Sequence, residues 1–296
     1  MQQDPRGVAA REHLRNGVTE ALKELGQGFL ENPGNDHLRR ALASGALSPQ
    51  AYYEELLRLV YRMIFLFVAE DRLLLHSPDS TAAARELYAQ GYAMGRLRER
   101  SMRRTAWDRH QDAWEGVKAA YRALACGEAR LGLSSLGGLF APDQLPHLGE
   151  ARLQNRRLLA AVWRLCWLRP AGGALTRVNW RDMQAEELGS VYESLLELIP
   201  RASADTRLFD FAPTAEARGS ERKKTGSYYT PDSLVKLLLD TTLDPVLDAA
   251  EARNPDDPAA EILKLSIIDP ACGSGHFLLG AARRAAGRIA KWRSPG

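Results

Sequence analysis

The sequence predicts a mainly α protein that turns, near its end, into the opening of an α/β layer. Three observations carry this. From Arg11 to about Pro200 the apolar residues recur at helical spacing, with few alternating stretches that would suit half-buried strands. Residues 202–227 are polar apart from one short apolar island. Beyond them a helix, a short apolar strand, a glycine turn and a second helix follow in order, which is how an α/β layer begins. The expected organisation is a helical domain over 1–201, a linker over 202–224 and the α/β start over 225–296. With 296 residues, of which 45% are hydrophobic, the chain can bury a sizeable core. A formal net charge of +3 permits an anionic partner without demanding one.

In "AYYEELLRLVYRMIFLFVAEDRLLL" apolar residues surround almost the whole helical circumference from Tyr53, interrupted mainly by Glu54, Glu55, Arg58 and Arg62. That pattern belongs to a central, buried helix. The glycines and prolines of "LGLSSLGGLFAPDQLP" mark a long loop. In "HLGEARLQNRRLLAAVWRLCWL" Leu158, Leu159, Val162, Trp163, Cys166 and Trp167 fall on one helical stripe, which Pro170, Gly172 and Gly173 end. "AEELGSVYESLLELIP" carries another stripe, Leu188 to Ile199, and Gly189 inside it predicts a close approach, since a helical glycine costs about 1 kcal/mol against alanine. The segment 202–227, a linker or an ordered crossing, has its apolar island at Leu208, Phe209 and Phe211. After it come a helix from Asp232 to about Leu247, a polar break, a strand from about Leu263 to Ile268, the turn, and a helix from His276 to about Lys291.

Several classes of function are disfavoured. Cys126, Cys166 and Cys272 are far apart and odd in number, which predicts neither a disulfide framework nor a structural zinc site. The apolar run from Met63 to Ala69 stops at Glu70, far short of the roughly 20 residues of a membrane span. With Asp4, Arg6 and Arg11 near its start the chain does not resemble a signal peptide, so cytoplasm is the expected compartment. A hidden nuclease would need paired carboxylates and a lysine around a cation. Only "ERK" at Glu221–Lys223 tempts, and its nearest acid, Asp210, follows Phe209 rather than proline. Pro78-Asp79 and Pro142-Asp143 read as turns.

The chemistry gathers at two turns. In "IIDPACGSGHFLLG" an apolar run ends in Asp269, and the chain passes through Pro270, Ala271, Cys272, Gly273, Ser274 and Gly275 into a helix. A carboxylate and bare amides therefore meet at a helix start. Leu278 stands where a dinucleotide fingerprint needs its third glycine, so a dinucleotide is disfavoured. Asp269 instead suits a ligand with a cationic amino group, through a charge-assisted hydrogen bond. The plainer alternative is a strand-to-helix turn whose Asp269 merely caps a helix. In "TGSYYTP", Thr230 suits the N-cap and Pro231 the first helical position, leaving amides to meet a carboxylate. Tyr228 and Tyr229 could close over a flat ligand, or simply staple the helix start. Together the turns outline a ligand with an ammonium and a carboxylate at one end and a flat group at the other, the outline of S-adenosylmethionine.

These residues resemble a known family. "ERKKTGSYYTP" followed by "DPACGSGHFL" looks like motifs X and I of adenine-N6 DNA methyltransferases, most of all the large fused, type IIG-like enzymes of restriction-modification and phage-defence systems. Upstream, "LLRLVYRMIFLFVAEDRLLL", "SLGGLF" and "ELGSVYESLLEL" look like the helical region preceding the methylase domain. The resemblance implies a Rossmann-like methyltransferase domain, S-adenosylmethionine as cofactor and double-stranded DNA as partner. It also implies that Tyr228, Tyr229, Thr230 and Pro231 hold the methionine end, with Asp269, Ala271, Gly273 and Gly275 around the amino acid and sulfonium. Such enzymes methylate with an Asn/Asp-Pro-Pro-Tyr/Phe loop that grips an extruded adenine. No such loop occurs in the 296 residues, and "NPDD" at 254–257 lacks the second proline and the aromatic. The acidic residue that usually takes the ribose hydroxyls and a target-recognition domain are also missing. The expectation is the front part of a longer enzyme, inactive alone, with the remaining C-terminal part or other defence-system subunits as partners; the rival is a non-catalytic helical module for DNA binding or assembly. A methyltransferase acting on a small molecule or RNA is disfavoured.

One basic run stands apart. "MGRLRERSMRRTAWDRH" sets Arg96, Arg98, Arg100, Arg103, Arg104 and Arg109 against Glu99 and Asp108. It could follow a phosphate backbone with Trp107 and Trp114 nearby, or be a solvated face whose arginine stems cover apolar surface. His276 reads as a helix-opening polar group and Cys272 as a small, unreactive residue of the turn.

Overall fold

The computed structural model describes residues 5–169, 173–183, 189, 195, 198–203, 207–212, 230, 232–272 and 275–293. They are mainly helical and fall into two compact units, Met1–Met183 with Glu197–Gly219, and Gln184–Leu196 with Ser220–Gly296.

The first unit is built on α1 (Pro5–Glu31), α2 (Asp36–Ser44) and α3 (Pro49–Asp71), then α4 (Ala82–Gly91), α5 (Met94–Ser101), α6 (Asp112–Cys126) and α7 (Asn155–Cys166). Ser48 caps α3, its Oγ accepting the Ala51 amide at 3.1 Å, and Pro49 opens the helix where a missing N–H costs nothing. The helix is buried nearly all round, as its sequence predicts, and two of its interrupting charges are buried with it. Glu55 accepts from the amides of His147 and Leu148 and from His147 Nδ1, while Arg62 donates to the carbonyls of Leu139 and Ala141. Both therefore tie the glycine-rich loop down onto α3.

The α3 C-terminus explains "AEDR". Glu70 accepts from the Tyr88 hydroxyl at 2.7 Å and the Met94 and Gly95 amides at 2.8 and 2.9 Å, so it caps α5 from another helix. Burial, first among its causes, raises its pKa. Asp71 grips Arg98 twice, at 3.0 and 3.1 Å, and meets Arg177 at 2.9 Å. Arg72 donates to the carbonyls of Arg181 and Met183. Along α1, Arg157 joins Glu24 and Glu31 to α7.

Sequence and structure part at the end of α7. Trp167, counted above on the helical stripe, begins β1 (Trp167–Leu168), which pairs antiparallel with β2 (Thr176–Arg177). Its extended backbone lets the Val178 amide bond Cys166 O at 2.8 Å in place of another helical turn. The segment expected as a linker also contributes structure. β3 (Pro200–Ser203) and β4 (Leu208–Phe211) form an antiparallel pair with Ala202 opposite Phe209. Phe209 is buried against Gly26 of α1, and Lys23 pairs with Asp210 at 3.1 Å. The apolar island is thus an anchor, and the Asp210 carboxylate is engaged with a lysine. The Gly189 approach and the stripe around it lie outside the described residues but for 189 and 195.

The second unit contains α8 (Asp232–Thr242), α9 (Asp244–Arg253), α10 (Pro258–Leu263) and α11 (His276–Arg293). The single helix expected from Asp232 to about Leu247 is two, broken at Leu243. Pro245 lacks the N–H of a continuous helix and its ring would clash with the carbonyl one turn back. The expected strand is also corrected: Leu263 ends α10, and 265–269 has no regular structure. A strand exists by pairing, and among the described residues no strand lies beside it. Among the described residues the α/β start expected here shows no strand; its core is helical, with Val235, Leu239, Leu243, Leu247, Ala250, Ile262 and Ala281 packed together. Gly280 brings α11 close to α8, since a Cβ there would stand 2.9 Å from Leu239 Cδ1. Arg284 bridges Asp240 and Asp244, and Arg288 reaches Asp248 and Glu251.

Candidate functional site

The starts of α8 and α11, read above as two ligand-binding turns, meet within the second unit. His276 Nδ1 donates to Thr230 O at 3.0 Å. A carbonyl only accepts, so the proton sits on Nδ1, and Nε2 faces the Asp232 carboxylate at 3.8 Å. The histidine, read from sequence as a helix-opening group, is thus also the clip between the two helix starts. A histidine at the first position after a glycine turn was the available signal, but its partner 46 residues away was not legible.

Gly275 has φ +77, a left-handed conformation that favours glycine, and its amide donates to Cys272 O at 2.7 Å. Nothing lies within 4 Å of where its Cβ would be, so the fold needs glycine there for backbone conformation rather than for room. Asp269 accepts from the Ala271 amide at 3.1 Å. That bond closes a two-residue turn, well before α11 begins at His276, and it occupies one carboxylate oxygen. Pro270, Ala271 and Cys272 are exposed, and Cys272 forms no disulfide. Tyr228, Tyr229, Pro231, Gly273 and Ser274 lie outside the described residues.

An apolar hollow of about 460 Å³ adjoins the bend, walled by Leu238, Leu243, Ile267 and Phe277, with Asp269 and Pro270 at its edge. Thr230 and Gly275 do not line it. Asp269 therefore borders both the hollow and the turn, whereas Thr230 belongs to the turn alone. The hollow's surroundings are unusually apolar for a surface: Leu237, Leu238, Ile267 and Ile268 are exposed, Ile268 to 85%. Among the described residues no group of three or more His, Cys, Asp or Glu could hold a metal.

The arginine run of the first unit divides in two. Arg98 is committed to Asp71, Arg100 to Asp112 at 2.8 Å, and Arg96 to Gly91 O at 2.6 Å. Arg103, Arg104 and Arg109 are exposed on the loop that follows α5.

Residues 208–291 match the family model for N-6 DNA methylases. No curated protein and no solved structure matches the chain. The match supports a DNA methyltransferase-like function in general, with DNA as the substrate the family implies. Among the described residues no helix is long and apolar enough to cross a membrane.

Proposed function

We propose that the second unit is the cofactor-binding part of an adenine-N6 DNA methyltransferase, of the fused kind found in restriction-modification and phage-defence systems, acting in the cytoplasm. The observation that carries it is the Thr230–His276 clip, which holds one helix start against the glycine bend that opens another. The surroundings of that joint fit S-adenosylmethionine. Gly275 leaves open space beside the bend, and Asp269 retains an oxygen for an ammonium beyond the one that its own turn uses. Thr230 and Pro231, with Tyr228 and Tyr229, would hold the methionine end, and the segment 269–275 its amino acid and sulfonium region. When bound, the cofactor supplies an electrophilic methyl group on sulfur. The contribution of this chain is to grip and orient it, because the sequence has no Asn/Asp-Pro-Pro-Tyr/Phe loop for the adenine. The exposed Leu237, Leu238, Ile267 and Ile268 favour cover by further polypeptide, in which such a loop would be supplied.

Calorimetry of the whole chain with S-adenosylmethionine tests the proposal. Binding is expected, weakened about tenfold or more in Asp269→Asn, since a charge-assisted hydrogen bond contributes roughly 1.5–3 kcal/mol. Absence of binding, or equal binding by the variant, would refute it. Turnover on an adenine-containing duplex above background would refute the inactivity of the chain alone. The second reading, a helical module that binds DNA or assembles without chemistry of its own, is favoured by the exposed Arg103, Arg104 and Arg109.

A further inference from the structure

We infer that the loop between α5 and α6 is a docking surface for the phosphodiester backbone of duplex DNA, contacted by Arg103, Arg104 and Arg109. This surface lies in the first unit, and it stands on charge and stacking alone, independently of the cofactor site.

The inference comes from how the fold uses its charges. Of six arginines between 96 and 109, the first three are spent on the protein itself, as described above. Arg103, Arg104 and Arg109 have no carboxylate partner among the described residues, and all three are exposed. The loop's own acid, Asp108, is occupied: its Oδ1 accepts from the His110 amide at 2.9 Å and from Asn155 Nδ2 at 2.8 Å. Asp112, the other nearby acid, takes Arg100 and the same Asn155 amide. Asp108, bonded only by neutral amides, and Glu99, exposed on the last turn of α5, carry two negative charges against the three arginines, so the surplus on this surface is positive.

The loop is also held still. Trp107 Nε1 donates to Ser101 O at 3.0 Å, the Arg156 amide to Asp108 O at 3.0 Å, and the Asn155 amide to His110 O at 2.7 Å. Arg104 sits over Trp107, its guanidinium carbon 3.9 Å from the ring centroid, and 5.9 Å from that of Trp163. A guanidinium held over an indole has its place fixed by the ring while its charge and N–H donors remain available to a phosphate. An arginine whose only task was to cover apolar surface would account for Arg104, but not for Arg103 and Arg109 beside it. Three arginines along one anchored loop, one of them held over an indole and none paired with a carboxylate among the described residues, fit a row of phosphates.

Fluorescence anisotropy of the whole chain with a labelled duplex, between about 50 and 200 mM salt, tests this. Each phosphate contact contributes about 0.9 to the slope of log K against log salt. Arg103→Gln, Arg104→Gln and Arg109→Gln are each expected to flatten the slope by about 0.9, and the triple variant by about 2.7. Arg104→Lys keeps the charge and should keep the slope, which separates phosphate contact from packing. Arg130→Gln removes an equally exposed charge elsewhere, one paired with Glu128, and should change nothing. The single variants carry the test if the triple variant melts early. Unchanged slopes in variants of normal melting temperature overturn the inference. So does tighter binding to a single strand than to the duplex, or equal binding to phosphatidylserine vesicles.

Discussion

The contact between Phe209 and Gly26 makes a prediction whose sign depends on the fold. Gly26 sits within α1, where replacing glycine by alanine ordinarily stabilises a helix by about 1 kcal/mol. Here a Cβ would stand 2.3 Å from Phe209 Cδ1 and 2.6 Å from its Cγ, inside any tolerable contact with a rigid ring. The ring has little freedom to retreat. It meets Tyr52 edge-on at 5.5 Å and Phe211 at 5.4 Å. The strand that carries it is clamped by Gln27, which accepts the Phe209 amide at 3.0 Å and donates to Arg207 O at 2.8 Å. Overpacking of this kind costs about 1–3 kcal/mol, so Gly26→Ala should destabilise. Phe209→Ala removes a nearly fully buried aromatic, at a cost of about 3–5 kcal/mol. At roughly 2–4 °C per kcal/mol for a unit of this size, the first unit's melting temperature should fall by about 6–20 °C. In the double variant the methyl group enters the space the ring has left, so Gly26→Ala should become neutral or stabilising there. The double-mutant cycle, read by thermal and urea melts of the whole chain, should therefore show a coupling of at least about 1 kcal/mol. A stabilising Gly26→Ala in the otherwise unaltered protein, or Phe209→Ala costing under about 1 kcal/mol, would show that β4 is a passing linker and refute the reasoning.

Two further perturbations address the charges of the first unit. Asp71→Ala leaves Arg98, which is buried, without its carboxylate; breaking such a pair from one side costs about 3–5 kcal/mol, so urea melts should show a loss of that order, and one below about 1 kcal/mol would contradict the pairing. The bonds from Arg100, first, and Asn155 hold the Asp112 carboxyl down from its ordinary 3.8 to about 2. A lowered acid contributes stability above pH 3.8 that is lost as the pH falls through about 2. Because its side chain is 62% exposed, solvent screening limits the effect to under about 1 kcal/mol. Melts across this window should therefore decline less steeply in Asp112→Asn, and parallel curves would refute the assignment.

Much of this architecture was written in local patterns. The spacing of apolar residues showed α3 as a buried helix, because one helix reports its own surroundings through its own period. The turn residue Gly275 was legible for the same reason: a left-handed backbone is a preference of a single residue. Where a local pattern misled, a contact from elsewhere had intervened or had failed to arrive. Ile267 and Ile268 are apolar enough for a strand, yet no described neighbour pairs with them, and their side chains stand in solvent.

The sequence by itself determined which residues could open a helix, bend the chain or carry charge, since those are properties of one residue and its near neighbours. Only the tertiary structure decided what each of them met. It closed His276 onto Thr230, seated Phe209 over Gly26, and sorted the six arginines between 96 and 109 into three that bond the protein itself and three without a carboxylate partner among the described residues. The physical reason is that pairing energies depend on distances between residues tens to hundreds of positions apart, and chain periodicity carries no record of those distances.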